Sequence, residues 1–194
     1  MSGRVILLAI VVIASLFILK SLLVGGEGKR AGTLNNNSKG AKLETATFGA
    51  GCFWHVEDTF RQVEGVVSTA VGFEGGTLPQ PAYKDVCTDL TGHAEVVQIQ
   101  YDPSKVSYEK LLEAFFELHD PTTFNRQGPD VGVQYRSVVF YQSPQQKEQA
   151  EAFKVKLGKS QRYKRPIVTE ITPASTFWKA EEYHQQYYEK QRGS

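Results

Sequence analysis

Cysteine is scarce in this chain: 194 residues contain two, Cys52 and Cys87. Two thiols cannot build the disulfide framework of a small secreted scaffold, and these two do not form a C-x-x-C pair. The four histidines, His55, His93, His119 and His184, are scattered with none at metal-ligand spacing, so no structural zinc site is expected. An excess of one charge is missing as well. Setting aside residues 1–24 removes two of the 22 basic residues, Arg4 and Lys20, and none of the 21 acidic ones, which leaves a nearly neutral remainder. Nothing in that balance points to nucleic acid. The cluster Lys154, Lys156, Lys159, Arg162, Lys164, Arg165 is interleaved with acids and glutamines and reads as a solvated helix face.

What is present begins with an apolar run at residues 5–19, interrupted by Lys20 and continued weakly to residue 24. Its length approaches the ~20 residues of a membrane-spanning helix, and small residues follow it. Residues 1–24 are expected to be a signal-anchor or a signal peptide. Arg4 on the near side places the rest of the chain outside the cytoplasm, whereas Lys20, Lys29 and Arg30 favour the alternative, a cytoplasmic-facing anchor. Residues 25–42, rich in glycine, asparagine and lysine without an apolar period, read as a flexible linker. One globular domain is expected over 43–190, with 191–194 as a tail.

Within that domain the patterning predicts strands at 43–48, 66–72, 93–101 and 137–142, and helices at 53–63 and 108–118. Their order, β-α-β-β-α-β, is that of an α+β, ferredoxin-like split βαβ sheet with helices on one face. Pro144 opens a polar helix, residues 168–173 suit an edge strand, and 178–188 a terminal helix. Residues 119–136 form a loop long enough to suggest function.

The stretch Gly49-Ala50-Gly51-Cys52-Phe53-Trp54-His55 stands between the first strand and the first helix. Cys52 is therefore expected at a helix N-terminus, where free N–H groups and the dipole favour a thiolate and lower the thiol pKa. Phe53 or Trp54 could wall an apolar pocket beside it. On the strand 93–101, Glu95 shares a face with Val97, Ile99 and Tyr101. Burial of that face would keep Glu95 protonated and able to donate. Tyr83, in a proline-rich loop, and Tyr135, ending the long loop, are candidate hydroxyl donors; Asp130 follows Gly128-Pro129 in a turn.

Six segments in order then resemble the A class of peptide methionine sulfoxide reductases: GCFW at 51–54, GVVSTAVGFEGG at 65–76, Pro81 with YKDVC at 83–87, GHAEVVQIQYDP at 92–103, HDPTTFNRQGPDVGVQYRS at 119–137 and YHQQY at 183–187. The resemblance implies that Cys52 attacks the sulfoxide sulfur and Glu95 protonates the leaving oxygen. It implies that Tyr83 and Tyr135 hydrogen-bond that oxygen with support from Asp130, and that Phe53 and Trp54 hold the substrate methyl group. It further implies action on the S epimer, free or in proteins, with no metal or organic cofactor, and a Cys52 sulfenic acid as product. A thioredoxin-like or small-thiol reductant is the expected partner, and the chain is expected to be a monomer. Two departures from the family pattern stand out. His55 replaces the usual glycine after GCFW, and no cysteine follows Cys87. The sulfenic acid must then be reduced by an external thiol or, as the lesser alternative, by Cys87. Rival readings are a cysteine hydrolase using His55 or His93, and a tethered module that binds oxidised methionine without recycling.

Overall fold

The computed structural model describes residues 42–193; the expected anchor and nearly all of the linker lie outside them. No helix among the described residues is long and apolar enough to cross a membrane.

The chain runs β1 (Glu44–Ala50), α1 (Phe53–Arg61), β2 (Val66–Glu74), α2 (Tyr83–Val86), β3 (Ala94–Tyr101) and α3 (Tyr108–Glu117). A short hairpin follows, β4 (Arg126–Gln127) with β5 (Asp130–Val131), then β6 (Ser137–Tyr141), α4 (Pro144–Lys159), β7 (Glu170–Pro173), β8 (Trp178–Lys179) and α5 (Tyr187–Arg192). Six strands form one mixed sheet in the order β7-β6-β1-β3-β2-β8. All neighbours are antiparallel except β6 and β7, which are parallel. The result is a single α+β domain whose four central strands follow the expected element order, with β7 and β8 added at the edges.

The elements form where local chemistry favours them. The Ser107 hydroxyl accepts the Lys110 N–H at the start of α3, and Ser143 accepts the Gln146 N–H at the start of α4, just ahead of Pro144. α1 buries Phe53, Val56 and Phe60 along one side, and α3 buries Leu111, Leu112, Phe115 and Phe116. Both pack on the sheet face formed by Phe48, Val97, Ile99 and Tyr101. Phe48 stacks there on Phe60, Tyr108 and Phe115, with centroids 5.3, 6.1 and 5.0 Å away. Cutting such a ring back to alanine costs about 3–5 kcal/mol. The opposite face carries the smaller cluster Ala94, Val96, Val138 and Phe140 under Ala174 and Phe177.

Two expectations are corrected. Residues 83–87, expected as loop, contain the one-turn helix α2. Residues 178–188, expected as a terminal helix, instead form β8, a 3₁₀ turn at Glu182–His184 and only then α5. The edge of β2 decides this. Lys179 and Trp178 pair with Gly72 and Phe73, Ala180 donates to the Val71 carbonyl, and the Gln185 amide bonds both the N–H and the C=O of Val71. Edge backbone groups left bare by a helix there would need other partners. Gly72 makes the approach possible, because a Cβ at that position would sit 2.3 Å from the Trp178 carbonyl oxygen.

Candidate active site

Cys52 is the second of the two residues, Gly51 and Cys52, that join β1 to α1. It is extended (φ −56°, ψ 119°); its side chain makes no capping hydrogen bond, but the backbone N–H groups of Trp54 and His55 lie near enough to favour the thiolate. Gly51 before it has φ +84°, and a Cβ there would meet Gln127 at 2.7 Å, so a side chain at 51 would be strained and would push the β4–β5 hairpin away from the thiol. Cys52, Trp54 and His55 line an open cleft of ≈ 650 Å³ together with Ala50, Gln127, Asp130 and residues of the segment 117–120.

Glu95 comes up from β3 beneath the helix start. It is 2% exposed, and its Oε2 accepts the Phe53 N–H at 3.1 Å. Burial raises its pKa to about 7; the Phe53 bond works against that rise, and the negative Asp130 adds to it. The thiol behaves differently from the expectation. Burial, then the charge of Glu95, push Cys52 up to about 11, and the N–H groups of Trp54 and His55 offset only part of this. The helix N-terminus does favour the thiolate, but desolvation and a carboxylate at the same helix start outweigh it.

Two phenols complete the surroundings. Tyr83 opens α2, and Tyr135 closes a 3₁₀ turn at Val133–Tyr135. Both are half-buried, and both are held in the neutral, donating form chiefly by burial and then by negative neighbours that include Glu95; for Tyr83 its contact with Cys87 adds to the effect. Tyr135 is pushed up to about 12. The Asp89 carboxylate accepts the Val133 N–H at 3.1 Å, so the segment after α2 is tied to the turn that carries Tyr135. Asp130 sits in the β4–β5 hairpin opposite Gln127 and faces the cleft.

The expected residues are thus distributed unevenly. Cys52, Trp54 and Asp130 line the cleft, with Glu95 buried below. Phe53 is 1% exposed; its ring packs on Phe73, Trp54, Tyr83 and His184 and forms the floor rather than an open wall. Cys87 is exposed and lies near the Tyr83 phenol, whose pKa it helps to raise. His55 points outward at the cleft mouth. His93 is committed elsewhere: Nδ1 accepts the Gly76 N–H at 3.0 Å, so Nε2 carries the proton and donates to the Leu78 carbonyl at 2.8 Å.

Sequence reasoning missed His184 and Tyr187. The His184 Nδ1 accepts the Trp54 indole N–H at 3.1 Å, and Tyr187 stacks on Trp54 with centroids 3.9 Å apart. The available signal was YHQQY itself, a polar-aromatic run too rich in rings for the solvated helix it resembled.

A thiol near a buried carboxyl whose pKa is raised to about 7 and two neutral phenols offers the groups an enzyme needs to attack an electrophile and hand a proton to its oxygen. The family model for Peptide methionine sulfoxide reductase matches residues 44–194, and the chain belongs to that family. A curated peptide methionine sulfoxide reductase MsrA from Methanoculleus marisnigri is 62% identical over 151 residues, covering 78% of this chain and 92% of that protein. Among solved structures, reduced Mxr1 from Saccharomyces cerevisiae superposes with a TM-score of 0.74 at 36% identity, covering 80% of this chain and 89% of Mxr1. Mxr1 in complex with Trx2 gives 0.54 at 25% identity over 76% and 86% of the two chains.

Proposed function

We propose that the chain reduces methionine-S-sulfoxide, free and in proteins, to methionine, with Cys52 as nucleophile and Glu95 as acid. The observation that carries these roles is the Glu95 carboxyl, 2% exposed and bonded to the Phe53 N–H at the very helix start where Cys52 sits, with a pKa of about 7. The sulfoxide oxygen takes the Glu95 proton in a hydrogen bond, which keeps Glu95 neutral. The second-largest cause of the raised thiol pKa then disappears, and the N–H groups of Trp54 and His55 favour the thiolate. The Cys52 sulfur attacks the sulfoxide sulfur while Tyr83 and Tyr135 donate to the oxygen and Asp130 supports them. In sum, a sulfoxide and a thiol become a sulfide and a sulfenic acid: the substrate S–O bond breaks, its sulfur gains two electrons, and Cys52 loses two. Trp54 walls the methyl side and Phe53 floors it.

Recycling uses an external reductant of thioredoxin type or a small thiol: a reductant thiol displaces water from the sulfenic acid, and a second thiol frees Cys52 as the disulfide forms. The complex of Mxr1 with Trx2 supports the thioredoxin-type choice. The scaffold is read as a ferredoxin-like split βαβ core on the strength of the central order β6-β1-β3-β2. The chain acts as a monomer, tethered or exported through residues 5–24 with the domain outside the cytoplasm; the apolar run after Arg4 supports this.

The test mixes full-length protein with resolved methionine-S- and R-sulfoxide and excess dithiothreitol. Turnover of S alone, lost in Cys52→Ser and kept in Cys87→Ser, is expected. No turnover by the parent would sink the assignment, and a stop after one equivalent would favour a binding module. The hydrolase alternative lacks a base: His55 is three residues along the same helix as Cys52, and both His93 nitrogens are occupied by the backbone of 76 and 78.

A further inference from the structure

His184 is a costly residue where it stands. It is 1% exposed, and its ring lies among those of Phe53, Trp54, Tyr83 and Tyr183, with centroids 5.2, 5.6, 4.4 and 4.1 Å away. The Nδ1 accepts the Trp54 indole N–H at 3.1 Å, so the neutral ring carries its proton on Nε2, and Nε2 has no hydrogen-bond partner among the described residues. An aromatic hydrocarbon would fill the same space without an orphaned polar atom. The one polar interaction that distinguishes histidine here is the bond to Trp54.

The segment that carries His184 is itself pinned. Gln185 bonds the Val71 N–H and C=O at 2.9 Å, and the Gln186 N–H donates to the buried Glu57 carboxylate of α1 at 2.7 Å. One turn earlier, Glu181 accepts the Tyr83 N–H at 3.1 Å. The same segment therefore grips both the tryptophan and a tyrosine of the site. On the outer side Tyr187 lies nearly parallel to the indole, at 9°. Trp54 is held by a ring stacked on its face and by a single directional bond at its nitrogen, and only the bond fixes its rotation in that plane.

We propose that His184 is a positioning residue: its Nδ1 sets the orientation of Trp54 and so the shape of the cleft wall that receives the methyl sulfoxide side chain. The inference rests on Trp54 being that wall. A wall that contacts ground state and transition state alike acts on KM more than on kcat. Asparagine keeps an acceptor close to the Nδ1 position, whereas glutamine places its amide near Nε2 and phenylalanine offers no acceptor.

The test measures dithiothreitol-supported reduction of methionine-S-sulfoxide by the full-length chain with His184→Asn, His184→Gln, His184→Phe and Trp54→Phe, together with the indole N–H resonances of Trp54 and Trp178. Loss of the bond is expected to raise KM about tenfold in the Gln and Phe variants, with kcat nearly unchanged, and to move the Trp54 resonance only. His184→Asn should keep both KM and resonance close to wild type. Trp54→Phe should raise KM similarly, and His184→Phe should add nothing in that background. Equal KM values in the Asn and Gln variants, additivity with Trp54→Phe, or a fall in kcat at constant KM would each overturn the proposal. If His184→Phe does not fold, the comparison of Asn with Gln decides alone. A wild type without turnover would fail the reductase assignment instead, and the indole resonance would still report whether His184 holds Trp54.

Discussion

Glu95 and Glu74 lie side by side in the sheet, where the register pairs Phe73 with Glu95 and Glu74 with Ala94. Both are almost wholly buried, and burial pushes both to about 7. They point to opposite faces. Glu95 faces the helices and meets the start of α1 beside Cys52, accepting the Phe53 N–H. Glu74 faces the smaller cluster under Ala174 and Phe177, accepts the Ser175 N–H at 2.7 Å and leaves its other oxygen without a partner. A raised pKa therefore does not mark a catalytic acid. In the proposed mechanism, what lies within reach of the proton does.

The sharpest way to break the comparison is to make both carboxyls permanently neutral. Glu95→Gln keeps a polar side chain near the Phe53 N–H but has no proton to give, and kcat/KM should fall about 10³-fold. Glu74→Gln should leave kcat/KM within about twofold. Similar losses in the two variants would mean that both carboxyls act through stability.

The pH profile comes next. In the proposed mechanism the active form pairs a protonated Glu95 (about 7) with an ionised Cys52 (about 11), the reverse of their order of ionisation. Below about 7, Glu95 stays protonated while the thiolate fraction rises with pH, so kcat/KM should climb. Between the two values the gain in thiolate cancels the loss of acid, and the profile should be flat. In Glu95→Gln the climb should continue through the neutral range from its lower base. A wild-type profile that also climbs without a break would remove Glu95 from the proton transfer.

Stability gives a smaller effect. A carboxyl whose folded pKa is raised stabilises the fold while protonated, and that contribution is lost as pH rises from the ordinary value of 4.5 through about 7. Near pH 5 Glu74→Gln should melt close to wild type. Near pH 8, where wild type has ionised Glu74, the variant should melt higher by about 5 °C. An equal gap at both pH values would show that packing, not charge, governs this site.

Much of this was legible in the sequence, and the limits have physical causes. Alternation along β3 put Glu95 on the face of Val97, Ile99 and Tyr101, because a strand alternates strictly whatever surrounds it. The spacing 53, 56, 60 gave α1 for a similar reason. The thiol pKa was misjudged because a helix end is visible in sequence, whereas what opposes it, burial first and then the Glu95 carboxylate, arises only in the folded chain. The 178–188 segment was misjudged because Lys179, Ala180 and Gln185 serve the edge of β2, a long-range partner that no local pattern announces. His184 was hidden for the same reason: its partner Trp54 lies 130 residues earlier.

The smallest effect expected is at Cys87, and it bears on how Cys52 is recycled. Cys52 opens into a cleft whose lining does not include Cys87, and Cys87 sits exposed at the end of α2 with its side chain near the Tyr83 phenol. Both thiols raise the pKa of Tyr135. A disulfide between them would require their Cβ atoms to come within about 4.5 Å. Cys87→Ser, which keeps a hydroxyl for Tyr83, should retain turnover with dithiothreitol within about twofold. Without reductant, one equivalent of methionine should form in wild type and variant alike, and a sulfenic-acid trap should label Cys52 equally in both. Labelling that appears only in Cys87→Ser would reveal an internal disulfide in the wild type and return Cys87 to the catalytic cycle.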